Sequence, residues 1–401
     1  MVSASNATTG SAERSDDSFA AAYMADCRGL VLKELRAIVP ASPRFKSILY
    51  DLMLDYPERS AKALRPALCI ATCRALGGPL GGVLQSAAVL ELYHNAFLIH
   101  DDIEDGSEKR REGNTLHRNE GVAIALNVGD AMLAIALQPL FDNMRLLGLG
   151  KALRILNAVA EMARHTAEGQ ALELSWIRDE TWELDDLDYL RMVQRKTTWY
   201  TFITPVVVGA LVAGASEEQI TQLRLFATAL GSAFQIQDDV LNLSAEEERY
   251  GKEINGDLWE GKRTLILLHA LRAASESERA KALRILRKAR PTNTSPNAAT
   301  SLRDELRELR DAGELSERAY QRLSLHESAT SSGESFKSDA DVAFLRDLVE
   351  RHGSLQHARA IAERRATRAR KYLTSIHRFM PASPHRDFLE SLVDFVVVRD
   401  R

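Results

Sequence analysis

The sequence predicts an all-α protein, and three observations carry that expectation. From about residue 20 to 290, Ala-, Leu- and Arg-rich stretches place apolar residues three and four apart. No alternating strand run stands out. Glycines gather at breaks such as Leu76-Gly77-Gly78-Pro79 and Leu147-Gly148-Leu149-Gly150, where one helix would end and the next begin.

Taken in order, residues 1–20 read as a disordered tail, because MVSASNATTGSAERSDDS lacks both the charged head and the apolar core of a secretory signal. Residues 21–401 then read as one all-α domain. Within it, LNVGDAMLAIALQPL and TFITPVVVGALVAGAS are nearly all apolar, as helices buried on several sides should be. The texture changes near residue 290. RPTNTSPNAATS is a linker by composition, SLRDELRELRDAGELSERAYQRL is a charged amphipathic helix or helix pair, and HESATSSGESFKSD is another polar run. Helix returns from about 340 and ends in DFVVVRDR, so 291–340 reads as a polar, partly flexible insertion rather than a second domain.

Bulk composition narrows the function classes. With 401 residues, 45% of them hydrophobic, and a net charge of -4, the profile is that of a soluble globular chain. No polybasic surface supports nucleic acid as a partner. No uninterrupted apolar window reaches the roughly 18 residues of a membrane span, so integral membrane association is not expected. Cys27, Cys69 and Cys73 have no further Cys or His at ligand spacing, which fits buried thiols in a reducing cytoplasm.

The chemistry lies at two acidic helix ends. HNAFLIHDDIEDGSEKRREGNTLHR begins apolar, breaks into Asp101, Asp102, Glu104 and Asp105, then changes sign at Lys109, Arg110 and Arg111. On a helix Asp101 and Asp105 lie one turn apart, with Asp102 on the adjoining edge. Carboxylates this close repel by under about 1 kcal/mol per pair in water and several-fold more beside a low-dielectric core. Stability alone does not place them there, whereas a divalent cation such as Mg²⁺, which takes hard oxygen ligands, removes the repulsion. The alternative is a solvated helix end. The second copy weighs against it: FQIQDDVLNLSAEEERYGKEINGDLWEGKRT carries Asp238, Asp239 and Asn242 at the same spacing, followed by Lys252, Lys262 and Arg263. Two facing acidic ends suit several cations around one diphosphate, with Lys and Arg binding what the metals leave uncovered.

These paired motifs resemble those of the trans-isoprenyl diphosphate synthases, the polyprenyl synthetase family, over most of residues 25–290 and the C-terminal helices. The resemblance implies an isoprenoid synthase-type helical bundle around a deep central cavity, in a homodimer. It implies a cluster of Mg²⁺ ions held by Asp101, Asp102, Asp105, Asp238 and Asp239 on an allylic diphosphate, which Arg110 also binds. KALRP is similar to the isopentenyl diphosphate motif, which implies Lys62 and Arg65 on the second substrate, joined by His94 and Arg111. Lys196 and Thr197 match the family's Lys-Thr pair, Gln235 its Phe-Gln pair, Lys252 and Lys262 its late lysines, and Gln170 the glutamine of a further segment. His100 and His117 read as ordinary histidines, and Trp176 and Trp199 as packing.

Four departures from the family pattern stand out, one of them a two-residue change. Ser60-Ala61 stands for Gly-Gly, and a Cβ there would crowd a backbone that approaches a phosphate. Ala63 removes a cation beside Lys62, Glu112 puts an acid beside Arg111, and Asn242 replaces an aspartate. The first three touch the isopentenyl side.

The implied reaction is head-to-tail prenyl transfer without a side-chain nucleophile. The rival readings are a class I terpene cyclase, which has no need of Lys62, Arg65 and Arg111, and a non-catalytic modulating subunit, whose acidic motifs should be eroded. Chain length in the family is limited by residues before the first acidic motif. Here Tyr93 and Phe97 lie two turns and one turn before Asp101, and Ala96 stands where farnesyl synthases of the eukaryotic type carry an aromatic. One bulky residue fewer predicts geranylgeranyl diphosphate, with farnesyl diphosphate second.

Overall fold

The computed structural model describes residues 9–244, 255–290, 306–307, 309–311, 315–321 and 336–398. Among them are seventeen α-helices. They are α1 (Thr9–Ile38), α2 (Asp51–Glu58), α3 (Leu64–Ala75), α4 (Leu80–Glu104), α5 (Leu116–Glu120), α6 (Val122–Ile135), α7 (Leu137–Leu147), α8 (Leu149–Arg178), α9 (Asp186–Val193), α10 (Thr204–Ala213), α11 (Glu217–Ser244), α12 (Gly256–Glu260), α13 (Leu265–Ala273), α14 (Glu276–Leu286), α15 (Asp339–Arg351), α16 (Ser354–Ile376) and α17 (Pro384–Val398). The all-α expectation holds, with one small exception. The strands β1 (Lys109–Arg110) and β2 (Gly113–Asn114) pair antiparallel just after α4.

Helix α1 begins at Thr9, inside the segment expected to be a tail, because the helical pattern extends N-terminally of residue 20. The core forms where apolar faces meet. Helix α10 is buried at every position from Thr204 to Val212 and packs on α3, as its unbroken apolar sequence predicts. Helix α11 runs along α16, whose Ala358, Ala362, Ala366 and Ala369 let the two backbones approach closely. A second apolar cluster gathers Trp176, Tyr189, Leu265, Leu268 and Leu345 beneath the second acidic motif.

Helices α6 and α7 depart from the expectation of burial on several sides. On α6 only Ala125, Val128, Gly129 and Met132 are buried, while Val122, Leu126, Leu137, Phe141 and Leu146 of the pair are exposed. The stretch Val122–Leu147 is long and apolar enough to cross a membrane by length and composition, although 39% of it is buried within the chain. Its apolar sequence therefore does not mark a buried helix within one chain; it leaves an apolar face open.

The described end of the 291–340 segment is built into the protein. Phe336 bridges Ala289 in parallel, and buried Lys337 donates to the carbonyl of Trp259 at 2.6 Å.

Candidate active site

The acidic end of α4 is where the sequence places it, but its two adjacent aspartates part company. Successive helical residues point about 100° apart, so Asp101 and Asp102 cannot share a face. Asp101 is half-buried, and its Oδ1 lies 3.2 Å from Lys196 Nζ and 3.3 Å from Gln170 Nε2. Asp102 is wholly buried: Arg110 donates to Oδ1 through Nε at 2.9 Å and again through Nη2, and the Tyr56 hydroxyl donates to Oδ2 at 2.7 Å. Asp105 ends the helix with part of its surface open to solvent, but with Asp101, Lys196, Lys262 and Glu260 crowded about its carboxylate, so that it is desolvated by charged neighbours rather than by an apolar core.

The second motif repeats the division. Asp238 is half-buried, whereas Asp239 is 5% exposed. Its Oδ2 accepts from Tyr189 Oη at 2.6 Å and its Oδ1 from Gln235 Nε2 at 2.9 Å. Asp102 and Asp239, both expected among the metal ligands, have their oxygens engaged by protein donors in this arrangement. Asn242 is engaged too: its Oδ1 accepts from the Asp257 backbone N–H at 3.1 Å and so fixes the start of α12.

Two lysines join the motifs. Lys196 lies on a π-helical turn, Gln194–Ile203, that continues from α9 into α10, and wide i→i+5 turns of this kind occur often at functional sites. That turn touches α8 so closely that a Cβ on Gly169 would stand 2.2 Å from the Lys196 nitrogen, which only glycine permits. Burial works against the charge on Lys196, but the buried Glu173 it pairs with, and Asp101 beside it, hold its ammonium protonated. Lys262 stands 3.9 Å from Asp257 and is likewise kept charged against burial by Asp257, Glu173, Asp105 and Glu260. Its field reaches both Asp101 and Asp239, so the two acidic ends converge on one place.

The acids there are more than the lysines neutralise. Desolvation first, and the Asp101 charge second, push Asp105 up to about 7. Desolvation, then Asp257, raise Asp239, and desolvation also raises Glu260. Asp105, Asp239 and Glu260 thus favour their protons in the absence of a cation, and their hard oxygens are of the kind Mg²⁺ or Ca²⁺ takes, although among the described residues no three acids are gathered closely enough to hold a metal ion as they stand.

A separate basic cluster lies one to two turns up α4. His94 Nε2 is 3.1 Å from Arg65 Nη1 and 3.3 Å from Arg111 Nη2, so it accepts from guanidinium groups; burial first, and then Arg65, Arg111 and Arg110, hold it neutral. Arg65 also donates to Thr201 Oγ1 at 2.8 Å and lies over the Tyr200 ring. Lys62 is exposed nearby, 5.9 Å from the Phe395 ring of α17. Tyr93, Phe97 and Tyr200 form a contiguous aromatic group here, with Phe97 edge-on to both tyrosines at 5.9 and 5.8 Å, while Ala96 is fully buried on another side. Thr197 is half-buried beside Lys196. Lys252 lies outside the described residues.

The departures acquire physical meanings. Neither Ser60 nor Ala61 has a positive φ, so replacing Gly-Gly costs no backbone strain. Ala63, Arg111 and Glu112 do adopt left-handed backbones, with φ of 51°, 50° and 64°. Arg111 and Glu112 are the two central residues of the β1–β2 hairpin, where a primed turn demands φ > 0 and normally selects glycine or asparagine. Such strain is characteristic of functional sites. Glu112 is exposed, while Arg111 turns inward to the Tyr56 carbonyl at 2.6 Å.

Sequence reasoning missed Glu173, Asp257 and Glu260. Glu173 had a signal, since it falls one turn after Gln170 in EGQALEL. Tyr56 and Tyr189 had none.

The comparisons with known proteins point to one family. The family model described as Polyprenyl synthetase matches residues 46–302. A short chain isoprenyl diphosphate synthase of Methanocaldococcus jannaschii is 34% identical over 238 residues, 59% of this chain and 71% of that one. An octaprenyl diphosphate synthase of Haemophilus influenzae is 34% identical over 245 residues, again 59% and 71%. Among solved structures, geranylgeranyl pyrophosphate synthetase from Pyrococcus horikoshii superposes with a TM-score of 0.73 at 27% identity, covering 94% of this chain and 98% of that one. A polyprenyl synthase from Caulobacter crescentus, complexed with calcium and isoprenyl diphosphate, gives 0.70 at 27% identity with 95% of each chain covered. An all-α fold that brings two acidic helix ends together, with a family match across both, makes the chain a member of the polyprenyl synthetase family, a trans-isoprenyl diphosphate synthase.

Proposed function

We propose that the protein is a Mg²⁺-dependent head-to-tail prenyltransferase that condenses isopentenyl diphosphate with an allylic diphosphate. In this reading geranylgeranyl diphosphate is the main product and farnesyl diphosphate the second. The observation that carries it is the separation of two anion sites: the acid–lysine centre between α4 and α11, and the Arg65–His94–Arg111 cluster. A terpene cyclase has no use for the second.

Asp101, Asp105 and Asp238 would hold the metal ions, with Glu173, Asp257 and Glu260 adding negative charge around Lys196 and Lys262. Bound there, Mg²⁺ supplies positive charge to the allylic diphosphate as it leaves. Arg110, Lys196 and Lys262, with Thr197 and Gln235, bind and orient that diphosphate, joined by Lys252 as the family resemblance implies. The allylic C–O bond breaks with its electron pair departing on the diphosphate. Arg65, His94, Arg111 and Lys62 hold isopentenyl diphosphate so that its π electrons form the new C–C bond to the allylic carbocation. A proton then leaves for the released diphosphate, and the chain is five carbons longer. The protein's part is electrostatic, and exclusion of water protects the cation.

Tyr93, Phe97 and Tyr200 form the floor on which the growing chain stops, and Ala96 contributes no bulk. The open apolar face of α6 and α7 receives a second copy of the chain, giving a homodimer, because a contiguous apolar patch of this kind on a charged protein marks an interface. The reaction belongs in the cytoplasm. Incubation of the purified protein with Mg²⁺, labelled isopentenyl diphosphate and dimethylallyl, geranyl or farnesyl diphosphate in turn tests this reading. Products of twenty carbons support it, and no elongation of any primer overturns it.

A further inference from the structure

We propose that Tyr56 and Tyr189 are positioning residues of the reaction, a matched pair of buried phenols that lock the second aspartate of each acidic motif inward so that the first stays turned toward the diphosphate. The inference rests on the reading of the two motifs as a metal–diphosphate centre, and it concerns residues outside both motifs.

The two tyrosines come from unrelated elements, α2 and α9, yet make the same contact. Each is 1% exposed, and each hydroxyl donates to Oδ2 of the second aspartate, at 2.7 Å for Asp102 and 2.6 Å for Asp239. In both cases another donor fills Oδ1, Arg110 in the first motif and Gln235 in the second. A buried carboxylate without such partners would be costly and would rotate to find others. Because adjacent helical residues are fixed about 100° apart, holding the second aspartate inward also sets the rotation of the helix end and hence the direction of Asp101 and Asp238.

Tyr56 does more than Tyr189. Its oxygen accepts from the Leu116 backbone N–H at 2.9 Å, so its single proton is left for Asp102. Its carbonyl accepts from Arg111. Its ring lies 4.8 Å from the guanidinium of Arg59, which donates to the carbonyls of Arg110 and Asn114 at 2.8 Å each and clamps the hairpin. One residue thereby holds Asp102 through its hydroxyl and Arg111, of the other substrate site, through its main chain. The two links separate chemically, since Tyr56→Phe removes the first and keeps the second.

The test uses the full-length protein, Tyr56→Phe and Tyr189→Phe. Two quantities are measured: steady-state kinetics for both substrates, and calorimetric binding of an unreactive allylic thiodiphosphate across a Mg²⁺ titration. Each variant should lose about 10- to 100-fold in kcat, as expected for a lost hydrogen bond to a charged group. The Mg²⁺ needed for half-maximal analogue binding should rise several-fold. In Tyr56→Phe the KM for isopentenyl diphosphate should stay within about twofold, because Arg111 keeps its carbonyl partner; a merely destabilised fold would not produce that split. If wild type binds the analogue with Mg²⁺ and both variants match it in kcat and Mg²⁺ dependence, the positioning role is wrong and the function stands. If wild type shows no Mg²⁺-dependent binding, the metal–diphosphate reading falls and this inference with it. Should Tyr56→Phe fail to fold, Tyr189→Phe decides the question at the second motif.

Discussion

Lys196 Nζ stands 3.2 Å from Asp101 Oδ1 while also pairing with the buried Glu173. One ammonium thus bridges the carboxylates of α4 and α8, in a place where carboxylates outnumber cations. The arrangement is a charged centre held together by a lysine.

Asp101→Ala should therefore remove function while sparing the fold. Prenyl transfer is expected to fall at least about 100-fold, as for loss of a group that stabilises developing charge. Circular dichroism should remain that of a helical protein. Turnover near the wild-type rate, or full wild-type activity in excess chelator, would contradict the assignment.

The two-site geometry predicts an asymmetric response at Arg65. Its guanidinium serves the His94 cluster and touches neither acidic motif. Arg65→Ala should raise the KM for isopentenyl diphosphate about 10- to 100-fold, corresponding to roughly 1.5–3 kcal/mol for a charged hydrogen-bonding partner. The allylic KM should change little. Equal shifts for both substrates would show that the cluster does not form a separate site.

Asp105 gives the metal-free protein a pH dependence of known sign. Its folded pKa, about 7, lies above the ordinary carboxylate value of 3.8, so the folded state binds the proton more tightly than the unfolded state. Its contribution therefore destabilises the fold as pH rises from about 4 to 7, and is fully present above 7. Asp105→Asn should raise the melting temperature of the metal-free protein at pH 8 and leave it unchanged at pH 4. A variant that melts lower than wild type at pH 8 would refute the crowding argument.

Product length should respond to Phe97. Its ring stands edge-on to Tyr93 and Tyr200, one turn of about 5.4 Å above Asp101, close to the length of one isoprene unit. Phe97→Ala should shift the products to chains longer than those of wild type, read by chromatography of the dephosphorylated alcohols. An active variant with an unchanged distribution would mean that Phe97 only packs.

The open face of α6 and α7 should be covered in solution. Phe141 is 46% exposed and Leu146 57% exposed on that face. Analytical ultracentrifugation should find a dimer for wild type and a monomer for Phe141→Asp/Leu146→Glu. A wild-type protein that sediments as a monomer at micromolar concentration would rule out this interface.

Much of this protein is legible from the order of its residues, because helical periodicity and motif spacing are local. An unbroken apolar run marks α10 and the period of 3.6 marks α11 in the sequence, and the one-turn interval from Asp101 to Asp105 marks the end of α4 as a place where carboxylates crowd. The resemblance of KALRP and the two acidic motifs to a known family supplied the remaining site residues. Tertiary structure decided what depends on partners distant in the chain. Tyr56 reaches Asp102 across 46 residues and Tyr189 reaches Asp239 across 50, and no pattern near either aspartate announces a phenol. Hence the sequence marked both members of each Asp-Asp pair as ligands, and only the fold showed that the second of each accepts from a buried phenol. The same limit explains Val122–Leu147: apolar composition states that a face must be covered, and only packing shows that the described residues leave part of it open. At Arg111 and Glu112, finally, a two-residue hairpin between short strands imposed left-handed backbones on residues that would not choose them alone, because β1 and β2 pair on either side of them.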